Sequence, residues 1–108
     1  MNHGLSAGTV AGIQAVLSRR PEIERAILYG SRAKGDYKTG SDIDLTLCGP
    51  DLTPALLASI ADELDDLLLP YTIDLSILDR LDHPSLREHI ERVGQEFYRR
   101  KQHFKALG

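Results

Sequence analysis

The stretch that most constrains this chain is residues 30–45, which read GSRAKGDYKTGSDIDL. The stretch follows one apolar run, residues 26–29, and ends within another, residues 43–48, and each run is typical of a strand. A strand that ends in Gly-Ser opens a tight turn, whose free N–H groups can hold phosphate. A strand that begins Asp-x-Asp places two carboxylates on one face, because side chains alternate along a strand. Together these parts are typical of a phosphoryl- or nucleotidyl-transfer site.

The remaining sequence predicts helices and strands that alternate around this stretch. Ser6 or Thr9 can cap the first helix, and Thr53 followed by proline is a strong start for a later one. A final helix that runs on to Arg100 competes with a last edge strand. The predicted elements are a helix at 7–20, a strand at 26–29, a helical turn at 31–35, a strand at 43–48, a helix from 54 that Pro70 ends, a strand at 71–78, a helix at 85–93 and an edge strand at 95–98.

Length and composition indicate one soluble domain, residues 1–108, with a core over about 7–98 and a basic tail at 99–108. The hydrophobic content of 42% and the charged content of 27% are ordinary for a globular protein. No apolar run approaches the ~20 residues of a membrane span. A single cysteine, Cys48, excludes an internal disulfide and suits a reducing cytoplasm. The net charge of −3 argues against general nucleic-acid binding.

The expected topology brings three aspartates together. Gly30 ends one strand and Asp42 begins the next after a brief loop, so these strands should be antiparallel with both residues at one end. A helix then leads to the third strand, which predicts a parallel, right-handed crossover that sets Asp44 beside Asp74. If the apolar residues share the helix-covered face, Asp42, Asp44 and Asp74 share the open face. Carboxylates crowded in this way repel one another unless cations neutralise them, and two Mg²⁺ ions bound there could clamp the oxygens of a displacement reaction.

Other interpretations of these residues are weaker. A lone Asp-x-Asp is more often a solvated strand face, and a lone Gly-Ser is usually only a turn. A P-loop would require Lys-Ser/Thr where Asp36 and Tyr37 stand. The four histidines show no close metal-ligand spacing, and we expect His89 to be a helix-surface residue. Cys48 is expected to be a small core or rim residue.

The spacing also matches a known signature. Gly30-Ser31, ten residues, then Asp42-x-Asp44 resembles the signature of the DNA polymerase β-like nucleotidyltransferase superfamily. The fuller run resembles the minimal nucleotidyltransferases (MNT), and the likeness covers about residues 7–98. This resemblance implies an α/β (α+β) polymerase β-like fold, with an α-β-α-β-α-β core, a small mixed sheet and helices on one face.

The resemblance also implies roles for particular residues. Asp42 and Asp44 would bind both Mg²⁺ ions, and Asp74 would bind the catalytic ion and help to activate the acceptor hydroxyl. Gly30 and Ser31 would hold the β- and γ-phosphates of ATP. The full nucleotide-binding set expected on this basis is Gly30, Ser31, Arg32, Lys34 and Ser41. From the residues alone, Arg32, Lys34 and Lys38 are either functional or part of a solvated loop.

The resemblance finally implies a partner. The chain stops where larger relatives continue into a helical domain that supplies the acceptor pocket, so we expect a hetero-oligomer or homo-oligomer. In the MNT family the partner is often a helical HEPN toxin, to whose tyrosine the antitoxin transfers AMP. Alternatives are a small-molecule nucleotidyltransferase that needs a partner subunit, an antitoxin that acts by stoichiometric binding, and glycosyl transfer through Asp-x-Asp, which usually requires a longer domain.

Overall fold

The computed structural model describes residues 4–35 and 42–100. The helices are α1 (Ala7–Ser18), α2 (Ser31–Lys34), α3 (Pro54–Asp65) and α4 (Pro84–Val93). The strands are β1 (Arg25–Tyr29), β2 (Ile43–Cys48), β3 (Ile73–Ile77) and β4 (Gln95–Arg99), and a 3₁₀ turn covers Leu78–Arg80. The predicted order of elements is confirmed, and the last segment is a strand rather than a continued helix.

Side chains just before each long helix define where it begins. The hydroxyl of Ser6 accepts the N–H of Thr9 at 3.1 Å, and that of Thr53 accepts the N–H of Leu56 at 3.1 Å. His83 serves α4 in the same way, since its Nδ1 accepts the N–H of Leu86 at 3.3 Å. The predicted Thr53 cap is therefore confirmed, Ser6 is the cap of α1, and the cap of α4 was not foreseen.

The four strands form one mixed sheet in the order β3-β2-β1-β4. β1 is antiparallel to β2 and to β4, whereas β2 and β3 are parallel and joined through α3. Asp44 pairs with Tyr29 on one side and with Asp74 on the other. The predicted directions of these strands and the pairing of the two aspartates are both confirmed.

One hydrophobic core lies between the sheet and the pair α1 and α3. Its fully buried members come from both helices and from alternate positions of β1 and β2. The central ones are Ile13, Val16, Leu17, Ala26, Leu28, Ile43, Leu45, Leu47, Ile60 and Leu64. Because side chains alternate along a strand, the side chains of β2 between these core positions project from the opposite face of the sheet.

The structure corrects one detail of the predicted fold, in which all helices lay on one face of the sheet. α4 lies on the face opposite to α1 and α3. Ile27 and Tyr29 alternate with the core residues of β1 and therefore belong to the carboxylate-bearing face. Tyr29 is in ring contact with His89 of α4, and Gly94 lies so close to Ile27 that a β carbon would come within 2.7 Å of its Cγ2 atom. Ile90 is buried apart from the main core. The face expected to be open is thus partly covered by α4.

Among residues 4–35 and 42–100, no helix has the length and apolar character needed to cross a membrane.

Candidate active site

Gly30 forms the corner between β1 and α2. Its φ of 77° lies in the left-handed region, which a glycine adopts without the steric cost that a side chain would add. A β carbon at this position would also collide with Oδ2 of Asp44. The turn therefore requires glycine for two independent reasons, and the Asp44 carboxylate lies directly against it.

The three predicted carboxylates lie at the same end of the sheet. Asp44 and Asp74 occupy paired positions of the parallel strands, and Asp42 stands exposed immediately before β2. Partial burial raises the pKa of Asp44 above its ordinary value, and the charges of Asp74 and then Asp42 raise it further. His89 acts weakly in the opposite direction. The site thus concentrates negative charge that a cation would relieve.

These carboxylates do not form a complete cage for a metal ion. In the described residues, no group of three or more His, Cys, Asp or Glu side chains is placed to hold an ion. Mg²⁺, however, usually takes one or two carboxylates and fills its shell with waters and substrate phosphates. The adjacent oxygen donors of Asp44 and Asp74 fit an ion of that kind. That all three aspartates act as ligands stays a prediction.

Tyr29 lies beside the two paired aspartates. Burial raises the pKa of its hydroxyl, the nearby Ser76 hydroxyl partly offsets this, and the charges of Asp44 and Asp74 raise it further. The phenol therefore stays protonated at neutral pH. Tyr29 presents an apolar ring and a hydroxyl donor beside the carboxylates.

His89 is the residue of this site that the sequence interpretation missed. Its Nε2 accepts the backbone N–H of Gly30 at 3.2 Å, and its ring meets that of Tyr29 at 6.3 Å and 78°. The expectation of a helix-surface histidine is therefore wrong. A signal existed: His89 lies three residues after Leu86 and immediately before Ile90, on the flank of the apolar stripe of α4.

Among the basic residues predicted near the turn, Arg32 has a side chain whose surroundings the structure describes. Arg32 is only 2% exposed, and its guanidinium lies 4.8 Å from the centroid of the Tyr71 ring. The neighbouring carbonyl of Ala33 accepts the side-chain amide of Gln95 at 2.9 Å, which ties α2 to β4. The Arg32 side chain is thus buried against Tyr71, and its contact with a nucleotide stays a prediction.

The other residues of the predicted nucleotide-binding set are less fully described. Ser31 is half-buried at the first position of α2, and Lys34 is the last residue of that helix. Ser41 lies outside the described residues, and so does Lys38, which was considered only with the basic residues of the loop. Contacts of the predicted set with a nucleotide remain a prediction.

A glycine turn joined to an Asp-x-Asp strand in a mixed sheet is the arrangement that the sequence analysis associated with nucleotidyl transfer. The family model for polymerase β nucleotidyltransferases matches residues 12–103, and the chain belongs to that family. The predicted enzyme class is thereby confirmed. A comparison with curated protein sequences finds no significant match.

Solved structures share the fold at low sequence identity. A toxin–antitoxin structure with AMP-PNP has a TM-score of 0.67 at 21% identity, covering 91% of this chain and 76% of the other. The toxin–antitoxin MntA–HepT has a TM-score of 0.65 at 20% identity, covering 85% and 71%. A tri-AMPylated HEPN toxin in complex with MNT antitoxin, from Shewanella oneidensis, has a TM-score of 0.63 at 21% identity, covering 82% and 68%. The predicted polymerase β-like fold is confirmed.

Proposed function

We propose that this protein transfers AMP from ATP to a tyrosine hydroxyl of a HEPN-type toxin and thereby acts as its antitoxin. The observation that carries the proposal is the contact between the Gly30 turn and the Asp44 carboxylate, with Asp74 paired beside it. This arrangement brings a turn suited to phosphate and carboxylates suited to a divalent cation into one site. It is what a nucleotidyl transfer needs, since such reactions depend on positioning and on charge neutralisation.

In this proposal, Asp42 and Asp44 hold Mg²⁺, with Asp74 contributing to the ion nearest the acceptor. When bound, the metal neutralises phosphate charge and stabilises the charge that develops on the leaving group. The Ser31 N–H, in the first turn of α2 where no intrahelical acceptor exists, would donate to a phosphate. Gly30 keeps its own N–H for His89 and lets the chain turn next to Asp44.

The bond changes of the proposed reaction balance simply. The tyrosine oxygen forms a bond to the α-phosphorus of ATP, and the bond from that phosphorus to the bridging oxygen breaks. Pyrophosphate leaves, and the phenolic proton passes to Asp74 or to water that Asp74 orients. Asp74 is exposed, so a side chain from another protein can reach it.

The structural relatives support the choice of donor, acceptor and partner. One toxin–antitoxin relative was crystallised with AMP-PNP, and another contains a tri-AMPylated HEPN toxin with its MNT antitoxin. By this likeness we propose a cytoplasmic hetero-oligomer of the chain with a HEPN-type protein. In this proposal the assembly brings the acceptor of the partner to the site, and the transfer of AMP silences the partner.

Growth rescue separates catalysis from simple capture. Cells expressing the cognate toxin should grow with the wild-type chain and stop growing with Asp44→Asn at matched expression, because the variant lacks a charge that Mg²⁺ requires. Asp51→Asn, the same change at an exposed aspartate of a distant loop, serves as the control and should rescue growth. Full rescue by folded Asp44→Asn would instead show that binding alone neutralises the toxin.

A further inference from the structure

We propose that His89 is a positioning residue of the nucleotide site, which fixes the peptide of Gly30 so that the phosphate-binding turn stays against Asp44. The inference rests on the proposed function, since it assigns a role within the same site. It is carried by one contact: Nε2 of His89 accepts the Gly30 N–H at 3.2 Å.

The Gly30 N–H needs this partner. The ladder between β1 and β2 ends where Tyr29 pairs with Asp44, so Gly30 lies one residue beyond the last strand pair. A half-buried N–H group without an acceptor is costly. His89 supplies the acceptor from a different element, and the contact therefore joins α4 to the turn.

The imidazole is held in place by its surroundings. The edge contact with Tyr29 sets the plane of the ring, and the buried side chain of Ile90 anchors α4 at the next residue. Arg87, half a turn earlier, donates to the backbone carbonyl of Leu78 at 2.6 Å. The acceptor thus approaches Gly30 from a fixed direction, with its proton on Nδ1, since Nε2 must be unprotonated to accept.

The consequence for the site follows from the close approach of Gly30 and Asp44. The two residues are in van der Waals contact on the side where a β carbon would stand. A rotation of the Gly30 peptide would therefore move the following N–H groups relative to the carboxylate that holds the cation. Without His89, we expect weaker binding of the phosphates rather than a change in the chemical step.

The test compares two variants of His89 with a matched control. His89→Gln keeps an acceptor at nearly the same distance from the backbone, whereas His89→Leu keeps bulk and removes the acceptor. Glu91→Gln changes an exposed side chain of the same helix and should leave every readout unchanged. His89→Ser is the second loss variant, to be used if His89→Leu does not fold.

Two readouts distinguish positioning from a merely structural role. Hydrogen exchange of the Gly30 amide, followed by NMR, should be slow in the wild type and in His89→Gln and fast in His89→Leu. The Kd for AMP-PNP with Mg²⁺, and the KM for ATP, should rise about three- to tenfold in His89→Leu, as expected for one net hydrogen bond. The kcat should stay within about twofold, and His89→Gln should restore most of the affinity.

Each contrary outcome has a separate meaning. Unchanged Gly30 protection in folded His89→Leu would overturn the contact itself. Lost protection with unchanged AMP-PNP affinity would make the hydrogen bond structural and overturn the positioning role. A wild-type chain that binds no nucleotide would overturn the proposed function as well, and the exchange data would still report on the contact.

Discussion

Asp44 lies against the Gly30 turn on one side and is paired with Asp74 on the other. A single side chain therefore links the glycine turn to the carboxylates. The arrangement is costly without a cation, because burial and two neighbouring carboxylates raise the pKa of Asp44. A raised pKa in the folded state means that the charged form destabilises the fold. Charge repulsion of this kind is expected where a site is built for a divalent ion.

This cost predicts how Asp44→Asn changes stability. Well below pH ~4, the carboxyl is protonated in the unfolded and folded chains, and the variant should match the wild type. As the pH rises through the raised folded-state pKa, the wild type loses stability that the variant keeps. Because water screens a half-exposed group, we expect an increase in Tm of on the order of 1–3 °C at pH 7 in EDTA.

Thermal melts across about pH 2.5–8 check this prediction, and Mg²⁺ supplies the control. The ion should raise the Tm of the wild type more than that of Asp44→Asn, since the variant lacks one of the carboxylates proposed to hold it. A variant that melts below the wild type at pH 7 in EDTA would mean that Asp44 stabilises the fold by itself.

Sequence-based prediction of side-chain positions succeeded where backbone geometry determines the position. It failed where the position depends on how the helices pack against the sheet. The alternation of side chains along a strand and the parallel crossover are enough to place Asp44 beside Asp74. The contact of His89 with Gly30 depends on which face of the sheet α4 covers. The apolar stripe of α4, formed by Leu86, Ile90 and Val93, would suit either face, so local sequence could not settle it.

At the scale of elements, the end of α3 shows the same limit. Pro70 predicted the stop, but the helix ends at Asp65, and the chain then continues through two backbone bonds of the tighter i→i−3 type. Leu68 stands there with a φ of 54° and is 87% exposed. A leucine in the left-handed region carries a steric cost, and its exposed side chain gains little from folding in return.

Relieving this conformation should stabilise the protein. Leu68→Asn places a residue that tolerates the left-handed region at a site with almost no packing to lose, and we expect a gain of about 0.5–1 kcal/mol. Urea unfolding at neutral pH measures the effect. Leu68→Ala removes the same side chain and keeps the steric cost, so it should stay close to the wild type. Equal stability of the two variants would show that the backbone at residue 68 is unstrained.

At the scale of the whole molecule, the sheet divides the protein into two sides with different tasks. α1 and α3 build the core on one side, while the carboxylates and α4 occupy the other. Asp42 and Asp74 remain exposed at one end of the sheet, where the proposed acceptor would reach them. The sequence predicted this end of the sheet well, because it depends on the parallel crossover and on the alternation of side chains along a strand.

The most direct test of the account is AMP transfer to the purified HEPN-type partner from ATP labelled at the α-phosphate, with Mg²⁺ present. The wild type and Asp51→Asn should label the partner, and ATP labelled at the γ-phosphate should leave it unlabelled. Asp44→Asn should still form the complex by size-exclusion chromatography but transfer ~10²–10³-fold more slowly, since it loses transition-state charge stabilisation of a few kcal/mol. Transfer by Asp44→Asn at the wild-type rate, or none by a wild type that binds its partner, would contradict the account.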